Sequence, residues 1–464
     1  MLATFANTFK IPELRTRILM TIGLVFISRL ISMIPTPGVD WQTLQATMQQ
    51  IRETSGAAGG LMSWFDVFSG GAMSRCSVGF LSIWPYISAS IIIQLMTAVI
   101  PQLERLAREG DTGRQKLSQY TRYLTIGICV FQAFGIATAL MNPAAMGLGG
   151  VQLVANPGIG FKLMTVLCMT TASLFVMWLG DQISARGIGN GVSLIIMINI
   201  VSRLPVALME MMQRYFGFSG AEATHNVWEL ALLLLVGFAV ITFTVALTQG
   251  VRKVPIHSTR RMVSNGSYGG GNTFFPMRVN YTGVMPIIFA GPLIQFPAAA
   301  LTRIPAEWSN GTFGGMFEWL RWFGGQLVDM ISPVHLITYA VLIMFFTFFW
   351  VATQFNAMQI SDNLKRDGSY IPGIRPGRAT AEYLDMVMTR VTLIGGTGLL
   401  IVAILPQFLR GMLDLPWEMA SFFGGTSLLI IVGVALDTLR MMESHLVMRN
   451  YDGFLKHGRL RGRR

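Results

Sequence analysis

Charge is scarce in this chain of 464 residues. Only 12% of them are Asp, Glu, Lys or Arg, about half the ~25% of an average soluble domain, whereas 52% are hydrophobic. A soluble protein of this size could not cover its surface with so few charges. The composition therefore excludes a soluble enzyme, a disordered tail and a fibrous protein, and it predicts an integral membrane protein.

Patterns that support catalysis or metal binding are also missing from the sequence. The three cysteines, Cys76, Cys129 and Cys168, are isolated in or beside apolar runs, so they predict small buried residues rather than a disulfide framework or a zinc site. The five histidines are scattered, and there is no Walker A loop, H-E-x-x-H or G-x-S-x-G. The glycine-rich stretch 187–191 follows no predicted strand, which favours a tight loop over a phosphate cradle. We expect neither a cofactor nor an enzymatic activity.

What the sequence does have is long apolar runs. About 20 residues are needed to cross the ~30 Å hydrocarbon core as a helix. Pro35–Gly38 follow the first run without a small-x-small cleavage site, so we expect that run to be a retained span and not a removed signal peptide. The pattern predicts an all-α polytopic membrane protein with ten transmembrane helices, at residues 18–34, 76–100, 120–140, 161–180, 188–208, 227–247, 281–301, 334–353, 388–405 and 422–441.

Basic residues are distributed unequally between the two sides of these spans. When those at span ends are counted with the adjacent loop, 26 of the 35 Lys and Arg lie on the side of the termini and 7 on the other side. Cytoplasmic loops carry such an excess of basic residues. Both termini are therefore predicted to be cytoplasmic.

Ionisable residues are nearly missing from the spans themselves. Arg29 and Asp437 lie inside, while Lys162 and Glu229 lie near ends. Arg29 could extend to the membrane surface or bind a backbone carbonyl. Ion-coupled transporters usually place such groups near the midplane, where each is energetically expensive and persists for function. A secondary transporter of small solutes is thus the weaker alternative to a passive channel.

Three segments outside the spans have distinctive sequences. Residues 65–72 are semi-apolar but too short to span, which leaves an ordered external loop, a re-entrant segment or an interfacial one. Loop 250–280 is basic with a Gly-rich centre and predicts a cytoplasmic β-hairpin. In loop 355–383, Pro and Gly exclude a continuous helix and expose Arg375. On their residues alone, the basic loops either set topology or bind an acidic partner.

Six ordered motifs carry a resemblance to a known family. The chain resembles the SecY/Sec61-alpha family, whose bacterial members are channel subunits of the Sec protein translocase, from about residue 10 to beyond 445. The matching motifs are residues 68–75, 85–94, 118–123, 186–191, 372–377 and 423–430.

The resemblance implies a fold and a function. The fold would be a clamshell of two inverted halves, 1–208 and 209–441, around a pore, with a basic cytoplasmic tail at 442–464. Pro85 and Gln94 of span 2 recur with the same spacing as Pro286 and Gln295 of span 7, which would fit helices interrupted by proline in an inverted repeat. The function would be to translocate unfolded preproteins across the bacterial plasma membrane and to release transmembrane segments laterally into it, driven by SecA or the ribosome.

The same resemblance implies site residues and partners. The constriction ring would be Ile83, Ile87, Val192, Ile196, Ile288 and Ile430. A plug at 64–74 would include Phe65, Phe68, Gly70, Gly71 and Met73, with the two glycines as its hinge. Gln94 would lie at the lateral gate. The residues that dock SecA or the ribosome would be Arg375, Arg252, Lys253, Arg260 and Arg261. The expected partners are SecE, SecG, SecA, the ribosome, signal sequences, nascent membrane proteins and anionic lipids.

Overall fold

The structure, a computed structural model, is predominantly helical over the residues it describes. These are 11–40, 43, 66, 69–142, 153–154, 156–217, 227–258, 273–302, 304, 314–413, 415, 417–422 and 424–457. The helices are α1 (Pro12–Ile31), α2 (Trp84–Val99), α3 (Pro101–Arg108), α4 (Asp111–Met141), α5 (Ile159–Arg186), α6 (Gly191–Val201), α7 (Leu204–Phe216), α8 (Val227–Gln249), α9 (Met285–Thr302), α10 (Gly314–Val328), α11 (Pro333–Gln354), α12 (Ala357–Arg366), α13 (Arg378–Leu413), α14 (Trp417–Phe422) and α15 (Gly425–His457). The strands are β1 (Val251–Ser258), β2 (Thr273–Arg278) and β3 (Ser369–Tyr370).

The predicted spans coincide with helices of the structure. Eight of the ten overlap one helix, while span 5 overlaps the consecutive pair α6 and α7 and span 10 overlaps α15 and the last residue of α14. Within the described part of the chain, seven helices are long and apolar enough to cross a membrane, or eight if the bent pair α2 and α3 counts as one span. The all-α membrane fold class is therefore confirmed, and the ten-helix count is consistent with it.

Pro85 of span 2 and Pro286 of span 7 do not interrupt a helix, although this is the role predicted for them. Pro85 and Pro286 are each the second residue of a helix, α2 and α9, so they start these helices rather than break them. A proline in the first helical turn removes an N–H that has no partner there in any case. Span 2 is correspondingly shorter as a helix, because Cys76 and Ser82 have positive φ and the residues between them form turns.

The chain falls into two compact units, and the first comprises residues 1–207 and 434–464. Its helix α4 presents small residues every fourth position to the interior, at Thr121, Thr125, Cys129, Ala133 and Ala137. Small residues allow helices in a membrane to approach closely. Cys76 and Cys129 are buried, as predicted for small apolar residues.

The second unit comprises residues 208–433. Its apolar core draws on α8, α9, α11 and α13, with Leu247, Ile287, Ile343 and Leu399 among its buried members. β1 and β2 follow α8 in the chain and form, with β3, a small sheet of strand order β2-β1-β3. A second apolar cluster, which contains Val254, packs on this sheet. The predicted hairpin in loop 250–280 is confirmed, since β1 and β2 pair antiparallel.

Candidate functional site

Four of the six predicted ring positions lie in the first unit, on two helix starts. Ile83 immediately precedes α2 and Ile87 lies one turn further, while Val192 and Ile196 are one turn apart on α6. Three of them are buried and Val192 is half-buried. Ile83 Cδ1 and Val192 Cγ2 both lie 3.5 Å from the place where a Cβ on Gly180 would be. The structure therefore brings Ile83 and Val192 together over Gly180 of α5.

Hydrogen bonds hold the backbone immediately before Ile83. Ser82 has φ +48°, an uncommon conformation for a residue with a side chain. The Ser173 hydroxyl donates to the Ser82 carbonyl oxygen at 2.7 Å, and Asn199 Nδ2 donates to the Ser82 hydroxyl at 3.0 Å. Strain of this kind costs ~1–3 kcal/mol and persists where surrounding contacts over-determine it. These bonds thus fix the direction in which the chain enters α2.

The glycine-rich loop 187–191 starts α6, as the tight-loop interpretation predicts. Asn190 caps the helix by accepting hydrogen bonds from the backbone N–H groups of Val192 and Ser193. The N–H of Gly191 donates to the Ser184 hydroxyl at 2.8 Å. A Cβ on Gly191 would overlap the carbonyl of Gly180, so only glycine permits this close approach of α6 to α5.

The remaining two ring positions lie in the second unit. Ile288 is on α9 and Ile430 is on α15, and both side chains are buried. Their neighbours Ile287 and Leu429 belong to its main apolar core. All six predicted ring positions are thus aliphatic side chains on helices or at a helix start.

The predicted plug is described at Asp66 and from Ser69 onward, whereas Phe65 and Phe68 lie outside the described residues. Gly70 and Gly71 have φ of +65° and +87°, and Met73 is half-buried. The Asp66 carbonyl oxygen accepts from the Gly71 N–H at 2.9 Å, and its carboxylate accepts from the Ser74 N–H at 2.8 Å. The segment therefore folds back on Asp66. The hinge role of the two glycines stays a prediction.

Two arginines of the first unit contact this segment. Arg29 Nη2 donates to the Gly70 carbonyl oxygen at 3.0 Å, and its Nη1 donates to Asn199 Oδ1 at 3.0 Å. Arg203 forms an ion pair with Asp66. Of the two alternatives for Arg29, the structure shows the one in which it binds a backbone carbonyl. Arg29 could be located inside a span from the sequence, but its hydrogen-bond partners could not be predicted. Arg203, Asp66 and Asn199 were not distinguished by any sequence pattern.

The two basic loops, predicted as separate docking segments, meet in one sheet. β1 pairs with β2 from the first loop and with β3 from the second, where His257 faces Tyr370 and Ser258 faces Ser369. Arg252 and Lys253 are exposed on β1, while Arg260 and Arg261 lie outside the described residues. The sequence missed this association because β3 has only two residues.

Arg375 is exposed on a turn whose backbone is held from both sides. The Thr380 hydroxyl donates to the Arg375 carbonyl oxygen at 2.9 Å, and the Ser361 hydroxyl donates to the Gly377 carbonyl oxygen at 2.7 Å. Ile371, at the start of the turn, is buried in the cluster that contains Val254. The backbone that carries the exposed Arg375 side chain is therefore held in place. Gln94, the predicted gate residue, is exposed on α2.

Comparisons with known proteins agree on one family. The model of the SecY family matches residues 77–439. The chain is 40% identical over 459 residues to protein translocase subunit SecY of Streptomyces coelicolor, which covers 98% of this chain and 100% of that one. It is 40% identical over 451 residues to protein translocase subunit SecY of Escherichia coli K12, covering 97% and 96%. Among solved structures, it is similar to one described as the structure of a protein conducting channel, with a TM-score of 0.55 at 16% identity, covering 93% of this chain and 92% of that chain.

Proposed function

This chain belongs to the SecY family of protein translocase subunits, and on that premise we propose that it is the channel through which unfolded preproteins cross the bacterial plasma membrane. The observation that carries the proposal is 40% identity to named translocase subunits over nearly the whole length of both chains. The family is one of channel subunits rather than catalytic enzymes. The relatives found give no support to a small-solute transporter.

The proposed constriction consists of Ile83, Ile87, Val192, Ile196, Ile288 and Ile430. Aliphatic side chains can exclude water and ions by dewetting, yet they yield to a peptide of any sequence without binding it. A polar ring would retain substrates or conduct ions. The support from the structure is that Ile83 and Val192 come together over Gly180, and that hydrogen bonds fix the helix starts on which both pairs lie.

The proposed cytoplasmic partners are SecA and the ribosome, with SecE and SecG as further subunits of the complex. The two basic loops share one sheet, so Arg252 and Lys253 on β1 and Arg375 on its turn belong to a single unit of structure. An exposed basic surface attracts acidic partners and anionic lipid headgroups. We further propose that both termini are cytoplasmic, because the basic residues are concentrated on that side.

The proposed lateral gate includes Gln94, and the Gln94→Leu variant tests it. An amide lowers the apolarity of a seam that must part to admit a signal sequence. A leucine there adds several apolar contacts of ~0.1–0.2 kcal/mol each that opening would break, and a total of ~0.6 kcal/mol corresponds to about threefold in an equilibrium. We expect the variant to need more hydrophobic signal sequences. A preprotein whose signal sequence is only weakly hydrophobic should be translocated about threefold less. Gln102→Leu, on α3, is the matched control. A threshold equal to that of the control would count against the gate role.

Reconstitution tests the function as a whole. Vesicles that contain the chain with its subunits are expected to import a preprotein only when SecA and ATP are supplied, and the same vesicles should accumulate no small solute on an ion gradient. Protection of the preprotein from added protease measures import. Solute accumulation without preprotein import would overturn the channel proposal.

A further inference from the structure

Within the segment 66–74, the described residues, 66 and 69–74, are held by an ion pair as well as by hydrogen bonds. The Asp66 side chain is 2% exposed and that of Arg203 14% exposed, so their ion pair is largely removed from solvent. Arg203 Nη2 also donates to the Ser74 hydroxyl at 3.4 Å, close to where the Ser74 N–H donates to Asp66. Both ends of the segment are thus connected to one guanidinium.

A second arginine secures the middle of the same segment. Arg29 of α1 binds the Gly70 carbonyl oxygen and the Asn199 side chain, and Asn199 binds Ser82, the residue before Ile83. At Gly71, a Cβ would lie 3.3 Å from the Arg203 guanidinium, which shows how closely the backbone approaches it. The contacts run without interruption from the segment to the start of α2.

We propose that Arg203 and Arg29 are positioning residues that hold segment 66–74 in its closed place through Asp66 and Gly70, and that they thereby set how strong a signal sequence must be to open the channel. This inference rests on the proposed function, in which the segment is the plug. No motif singled out Arg203, and the resemblance assigned neither arginine a role.

The energetics of a buried ion pair are consistent with this positioning role. The attraction within a buried pair roughly balances the loss of hydration of its two charges, whereas removal of one partner leaves an unpaired buried charge and is strongly destabilising. The intact pair therefore specifies a single closed position without a large net gain in stability. Loss of one partner destabilises the closed position alone, because the remaining charge regains water only when the segment leaves, and this lowers the energy needed for opening.

The test is a double-mutant cycle measured as resting ion leak. Asp66→Asn and Arg203→Gln are each expected to raise ion efflux from vesicles without SecA by at least about tenfold, because each breaks the buried ion pair that holds the segment. The double variant should leak no more than either single variant, since the pair is already lost in both. Arg203→Lys keeps the charge and should restore most of the seal. Arg75→Gln removes an exposed arginine beside the segment and is the matched control, with leak unchanged.

A second measurement separates a displaced segment from a misfolded chain. In a cysteine-free background, Ser69→Cys places a thiol at a buried position of the segment. Its modification by a membrane-impermeant maleimide is expected to be slow with the pair intact and about tenfold faster with Asp66→Asn. The single variants should also translocate a preprotein with a weakened signal better than the unsubstituted chain does.

The outcomes separate this inference from the proposed function. If the unsubstituted chain translocates a preprotein but the single variants neither leak nor expose Ser69→Cys, the positioning role is wrong and the channel stands. If the increase in ion efflux of the double variant equals the sum of the increases of the two single variants, Asp66 and Arg203 do not act as a pair. If the unsubstituted chain imports no preprotein while the variants still leak, the arginines hold a seal and the proposed function fails.

Discussion

The Arg375→Glu variant is expected to lose most SecA-driven translocation. In the proposed docking, reversal of the Arg375 charge places an acidic group against an acidic partner, and truncation of one partner of a buried charge pair already costs ~2–5 kcal/mol. Because 1.4 kcal/mol is a factor of ten, we expect a loss of about 30-fold or more. Import of a preprotein into inverted membrane vesicles with SecA and ATP measures the effect.

A matched control lies three residues away. Arg378 is exposed on the same surface, but its guanidinium already pairs with Glu382 at 3.0 Å, so it offers less net positive charge to a partner. Exposed pairs of this kind contribute ~0–1 kcal/mol to stability. Arg378→Glu should therefore retain most of the activity. Full activity of Arg375→Glu at a normal level of membrane protein would remove Arg375 from the docking role.

Polar substitution in the ring is expected to make the resting channel conduct ions. Ile87→Asn and Ile196→Asn each place an amide at a position of the proposed constriction, and a wetted constriction no longer blocks hydrated ions. A barrier lower by only ~1.4 kcal/mol raises the flux about tenfold. We expect at least that increase in efflux of potassium from vesicles without SecA.

The same substitution elsewhere on α2 provides the control for ring variants. Ile92 is exposed at 38% and is not a predicted ring position. Ile92→Asn introduces the same amide into the helix that carries Ile87, so it controls for the general effect of this substitution on α2. Ring variants whose efflux equals that of Ile92→Asn would show that Ile87 and Ile196 do not form the constriction.

Helix positions could be predicted from the sequence because they depend on local pattern. An apolar run of about 20 residues is a strong signal, and each predicted span overlaps a helix. The hairpin β1–β2 was likewise predictable from the composition of its loop. The proline interpretation was wrong because a proline in the first turn and one inside a helix look alike in sequence, while only the latter interrupts it.

Contacts between distant segments could not be predicted in this way. Arg29 and Asn199 are 170 residues apart, and β3 pairs with β1 although it is only two residues long. Neither association leaves a periodic pattern in the chain. The proposed ring and docking residues could be named from the sequence only because short motifs resemble a known family. The pairing of Asp66 with Arg203 could be recognised only in the folded structure.

The shared sheet also limits how the chain can change in length. β1 is the central strand, and its residues are in register with β2 on one side and with β3 on the other. Side chains alternate between faces with a period of two, so one inserted residue would turn the rest of the strand over. An insertion within β1 would therefore disturb both basic loops at once. The sheet thus couples the permitted lengths of two loops whose paired residues are more than 100 positions apart in the chain.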